Sequence, residues 1–167
     1  MWESLNLKFS KYPARMNVAQ KMFELGLRIG ADGKIYCGDL KISDSALAVA
    51  TNVDRRVIKS TVEIIMADEE LYEIFSNIIP AGTLIKNIAK NLNLGVIEIE
   101  AGEKSEGILA EVAGIMSKHH INIRQAYAGD THLNSNPVLT IITEDLIPGT
   151  LLNEFINIPG VLKVSIL

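Results

Sequence analysis

At 167 residues the chain has room for one ordinary domain or two small ones, and an apolar share of 48% excludes global disorder. Aromatics are only 5%, so the core has to be built from Ile, Leu, Val and Ala. The net charge of −4 argues against a protein that coats nucleic acid generally, and no apolar run reaches bilayer-spanning length. The lone cysteine, Cys37, supplies neither an internal disulfide nor a thiolate cluster for zinc. Met1-Trp2-Glu3-Ser4-Leu5-Asn6 has no basic stretch followed by an apolar run, so no secretory signal is expected. These features point to a soluble, cytoplasmic protein with no membrane partner.

Charge is unevenly spread. Residues 1–66 carry ten Lys/Arg against seven Asp/Glu, whereas residues 91–167 carry four against nine. A mildly basic front and an acidic back suggest two modules with different partners.

In chain order, residues 14–27 repeat apolar residues at helical spacing, with Val18, Met22, Leu25 and Ile29 on one face and Ala19 and Phe23 beside it. Gly30 and Asp32-Gly33 then break the pattern. Segment 34–42 reads either as a strand pair or as a loop, Lys34–Cys37 being the extended part. Ser43-Asp44 is a helix cap for Ser45–Ala50, Asn52 interrupts, and Asp54 can cap a second helix running to Ala67. A third helical stretch covers Glu69–Asn77. Pro80-Ala81-Gly82 is the sharpest break, and Thr83 can cap a connecting helix through Asn91.

From residue 94 the pattern changes. Val96–Ala101 alternates like a strand with one wet face, and Gly107–His119 is helical in spacing. Ile121–Tyr127 and Val138–Thr143 are further strands, the second apolar on both faces and so central. A short helix over Thr150–Ile156 and a last strand over Val161–Ile166 complete a β-α-β-β-α-β order. The expectation is an α+β protein: an all-helical helix-turn-helix domain at 1–78, a connecting helix or linker at 79–93, and a ferredoxin-like βαββαβ domain at 94–167.

A helix-turn-helix needs a small residue where its helices cross, a turn residue that tolerates left-handed backbone, and apolar anchors on both sides. Ala48, Asn52 and the set Leu47, Val53 and Ile58 fill these roles. With Ile58, Thr61, Val62 and Ile65 turned inward, Arg55, Arg56, Lys59 and Ser60 face out, where they can reach phosphates and base edges of DNA. The plain alternative is a solvated face in a helical bundle. Arg15, Lys21 and Arg28, interspersed with Glu24, read as solvated surface.

Residues 94–167 resemble an ACT domain, a small amino-acid-binding module. The resemblance runs through Gly107-Ile108-Leu109-Ala110-Glu111-Val112-Ala113, then His120-Ile121-Asn122-Ile123, and closes with Ile158-Pro159-Gly160-Val161. The complete chain, including Pro80-Ala81-Gly82 and Ile141-Ile142-Thr143, is similar to archaeal predicted regulators of amino acid metabolism that join a helix-turn-helix to an ACT domain. The resemblance implies a homodimer through the ACT domain, with an amino acid or related metabolite at the interface. It assigns the ligand loop to Lys104, Ser105, Glu106, Gly107, Ile108 and Leu109, and the orienting side chain, supplied by the second strand of the partner chain, to Asn122. The chain departs from the common ACT pattern at Lys104, often Asp or Asn, and at Glu106, often Pro. Independently of the family, Gly107 permits close backbone approach, and the first N–H groups of the helix favour a carboxylate.

No cofactor or metal is expected. His119-His120 and His132 lack partners at ligand spacing, and a helix C-terminus accounts for the first pair. Glu98 and Glu100 share a strand face without a catalytic partner, Cys37 has no base near it, and no phosphate-binding Gly-rich loop occurs. The chain reads as a DNA-binding, amino-acid-responsive transcriptional regulator rather than an enzyme. The alternative is an amino-acid-sensing regulatory subunit that controls an enzyme by protein contacts.

Overall fold

The structure, a computed structural model, describes residues 2–102, 105–130 and 137–167. It is an α+β protein with seven α-helices and two antiparallel sheets among the described residues. Two compact units divide the chain, Met1–Gly82 and Thr83–Leu167. No helix among the described residues is long and apolar enough to cross a membrane.

The front unit is not all-helical, contrary to the sequence expectation. Helix α1 (Trp2–Phe9) contributes Leu5 and Phe9, one turn apart and both fully buried. Helix α2 (Pro13–Glu24) opens with Pro at a position that needs no N–H, and buries Val18, Ala19 and Met22. Gly26, at φ +65°, then ends the helical path, and a Cβ there would meet Pro80 Cα at 2.7 Å. The chain continues as a three-stranded sheet, β1 (Leu27–Ile29), β2 (Ile35–Cys37) and β3 (Leu40–Ile42). Ile29 is therefore buried from a strand rather than from α2, and segment 34–42 is the strand pair. Strands of three residues are too short to display a period of two, so helical spacing ran on through them in the sequence.

Helices α3 (Asp44–Thr51) and α4 (Arg55–Met66) follow, each started by a side-chain cap. Ser43 accepts from the Ala46 N–H and Asp54 from the Arg56 N–H. Between them Asn52 adopts φ 53°, ψ 46°, and the N–H groups of Asn52 and Val53 bond back to Val49 and Ala48 carbonyls. Asn17 of α2 donates to the Thr51 carbonyl, closing the end of α3. Helix α5 (Glu69–Ser76) is capped by Asp68, whose carboxyl is held below its ordinary value by Lys8 and by the Leu71 N–H. Ile58, Ile65, Leu71 and Phe75 complete this core at full burial, each worth about 1.5–3 kcal/mol.

The back unit has strands β4 (Gly95–Ala101), β5 (Ile123–Ala128), β6 (Val138–Thr143) and β7 (Val161–Ile166) in the spatial order β5-β6-β4-β7. Helices α6 (Ile108–Lys118) and α7 (Leu152–Ile156) share one face of this sheet, where Val112, Met116 and Phe155 pack on Ile97, Ile99 and Ile141. The two central strands are the most apolar, β6 being buried at five of its six residues.

The segment entering this unit forms no connecting helix. It makes two single 3-10 turns, Lys86–Ile88 and Lys90–Leu92. The Gln125 side chain donates to the Thr83 carbonyl and accepts from the Ile85 N–H, occupying backbone groups that a helix would need. Ile85, Ala89 and Leu94 then pack on Val96 and Ile142, the sheet's second face. The face of β4 expected to be wet is thus partly covered, and Glu98 meets Lys86 there.

Asn52→Val should lower stability by about 1–2 kcal/mol in urea unfolding, because a β-branched residue tolerates left-handed backbone poorly. Asn52→Gly should leave stability unchanged or raise it.

Candidate functional site

In the front unit, the buried face of α4 decides what its other face shows. Ile58, Thr61, Val62 and Ile65 are all buried, at spacings that leave Arg55, Arg56 and Lys59 exposed on the first two turns. Arg55 and Lys59 make no ion pair among the described residues, and Arg56 has only Asp54 at 3.9 Å. Ser60 is different. It is half-buried, donates to the Val57 carbonyl and accepts from Arg15 Nε at 3.3 Å.

That contact brings in residues that sequence reasoning set aside. The Arg15 guanidinium lies over the Tyr12 ring, 4.4 Å from its centroid. Together the start of α2 and the outer side of α4 form a groove of about 570 Å³ lined by Lys11, Tyr12, Arg15, Arg56, Val57 and Ser60. The three basic residues grouped in the sequence part company: Lys21 pairs with Glu24, and Arg28 leans on Tyr36 and donates to the Gly38 carbonyl. Arg15 and Ser60 lie 45 positions apart, so no local pattern could have joined them.

In the back unit, the loop after β4 is held by the turn before β7. Gly102 N–H donates to the Gly160 carbonyl at 2.9 Å, and Ser105 Oγ donates to the same oxygen at 3.2 Å. Gly107 sits at φ +76° immediately before α6 and brings no capping side chain, so that among the described residues no side chain caps the first N–H groups of that helix. Ile108 packs on the core, while Glu106 and Leu109 are exposed. Lys104 and His132 lie outside the described residues, as does most of the hairpin tip between β5 and β6. A crevice of about 160 Å³ opens between this loop and the β5–β6 pair, lined by Ala101, Ser105, Ile108, Ala128, Pro137 and Val138 among others.

Asn122 is not near that loop. It is exposed, and its carbonyl accepts from the Glu144 N–H, beside the Ile123–Thr143 pair. The loop lies at the other end of the sheet, where Glu100 pairs with Val138. Five steps along β6, from Val138 to Thr143, separate the two ends, roughly 17 Å. Within one chain Asn122 is therefore apart from the described residues of the 105–109 loop, with which the resemblance groups it.

Glu98 and Glu100 each have a cation, Lys86 and Lys163, and the Glu100 contact raises the Lys163 pKa. His119 pairs with Glu154 through Nε2 at 2.8 Å. Among the described residues no group of three or more His, Cys, Asp or Glu is arranged to hold a metal. No family model matches the sequence, and no curated protein matches it either.

Gly160 should tolerate substitution less well than Gly107. A Cβ at Gly160 would run into Ser105 Oγ and lie 2.8 Å from its Cβ, whereas a Cβ at Gly107 meets open space. Gly107→Ala should cost about 1–2 kcal/mol for its positive φ alone, and Gly160→Ala more, measured by thermal unfolding.

Proposed function

We propose that the chain is an amino-acid-responsive, DNA-binding transcriptional regulator of the cytoplasm, similar to the archaeal regulators of amino acid metabolism that couple a helix-turn-helix to an ACT domain. In this reading α3 and α4 are the helix-turn-helix, and α4 is the recognition helix, carrying Arg55, Arg56, Lys59 and Ser60 towards the major groove. The back unit is the ACT domain, with the strand order of a ferredoxin-like fold.

The observation that carries the reading is the separation of the ligand loop from Asn122. Strand β5 is an edge strand, exposed at five of its six residues. Antiparallel pairing of two β5 edges would bring Asn122 of one copy to the Ala128 end of the other, next to its 105–108 loop. There the uncapped N–H groups of α6 suit a carboxylate, and the Asn122 amide can donate and accept at the amino end. Such a site is complete only in a dimer. A ligand bound across it would bias the placement of two recognition helices, which must reach half-sites about 34 Å apart.

Two measurements test this. Duplex DNA binding by the purified protein should weaken steeply with salt, and Arg55→Ala with Arg56→Ala should abolish it. Binding that is absent at every salt concentration, with or without amino acids, rejects the DNA function. A regulatory role that survives the double substitution would instead favour an enzyme-controlling subunit. In a thermal-shift screen of the twenty amino acids, at least one should raise the midpoint, and Asn122→Ala should remove that rise.

A further inference from the structure

We propose that the groove between the start of α2 and the outer side of α4 is a second DNA contact, gripping the sugar-phosphate backbone of a duplex through Lys11, Arg15 and Arg56. It rests on the DNA-binding reading of α4 and extends that contact to Lys11 and Arg15, which lie outside the two-helix motif.

The first support is how the front unit distributes its cations. Lys8 and Lys21 are matched by Asp68 and Glu24, and Arg28 is engaged by the hairpin. Lys11 and Arg15, which have no ion pair among the described residues, line the groove together with the weakly paired Arg56, while Arg55 and Lys59, also without an ion pair among them, are exposed on the same helix as Arg56. Among the described residues no carboxylate lines the groove. Charges brought together without counterions repel one another, and a row of phosphates relieves that repulsion.

The second support is Arg15 itself. It is half-buried, stacked on Tyr12 and tied through Nε to Ser60, with no carboxylate partner among the described residues. Holding a cation partly out of water without a counterion costs free energy. Stacking and the Nε bond fix the plane of the guanidinium while its terminal nitrogens stay available, and a fork held this way suits phosphate oxygens. Ser60, besides its place on α4, holds Arg15 by accepting from its Nε.

The third support is continuity. Arg56 and Ser60 line the groove and also belong to the exposed side of α4, so a duplex lying along that helix would present its backbone to Lys11 and Arg15. At about 570 Å³, with Pro13, Ala14 and Val57 as an apolar floor, the groove has room for a sugar beside the phosphate. A free phosphate would leave that floor uncovered.

The test is duplex binding across a salt series, on mixed-sequence DNA and on any preferred site. Each lost phosphate contact lowers the slope of log affinity against log salt by about 0.9. Lys11→Ala with Arg15→Ala should therefore lower it by about two and weaken both duplexes by the same factor. The gap between variant and parent should narrow roughly tenfold from 50 to 200 mM salt. Lys11→Ala alone, at an exposed position outside the core, should lower the slope by about one. Arg15→Lys should keep the slope and lose affinity, because it keeps the charge but not the fork. An unchanged slope in the double variant, with duplex still bound, overturns the groove and leaves the α4 reading standing. No salt-sensitive binding by the unaltered chain overturns both.

Discussion

Burial along one side of α4 is the constraint on which the front unit depends. Ile58, Thr61, Val62 and Ile65 occupy the core, and Thr61 Oγ1 satisfies itself on the Val57 carbonyl at 2.7 Å. Once that side is committed, a period of 3.6 residues leaves no freedom over where Arg55, Arg56 and Lys59 go. The same commitment sets the entry to the helix. Asn52 must turn through left-handed backbone and Asp54 must cap, or α3 and α4 cannot both reach the core.

The back unit follows a different logic, in which a single carbonyl organises a loop. Gly160 accepts from Gly102 and Ser105, and its own positive φ and missing Cβ make room for Ser105. The loop that precedes α6 is thereby anchored to the strand at the far edge of the sheet. At Gly107 itself an added Cβ would meet nothing among the described residues, so what is held there is the backbone.

The two units also differ in how complete their surfaces are. The groove of the front unit is assembled within one chain from α2 and α4. The back unit splits its candidate ligand groups between the two ends of β6 and has β5 at one edge of its sheet, where the proposed reading pairs it with a second copy. Proposed DNA and ligand roles differ accordingly: the first asks only for a duplex, the second for another copy.

Residue patterns alone determined the parts of the fold that rest on local rules. The caps at Ser43 and Asp54, the left-handed Asn52, the inward face of α4 and the strand-helix order after residue 94 all follow from side chains acting on their own neighbourhood. Tertiary structure decided the rest. Leu25 and Ile29 continued a helical spacing until Gly26 turned away, and β1 to β3 became strands only by pairing with one another. Residues 83–92 have helical composition, yet Gln125 and the open face of β4 drew them into two short turns. Arg15 looked like any solvated base until Tyr12 and Ser60 held it. Ser60 lies 45 positions from Arg15 and Gln125 40 from Ile85, and a period of 2 or 3.6 carries no information about such distant contacts.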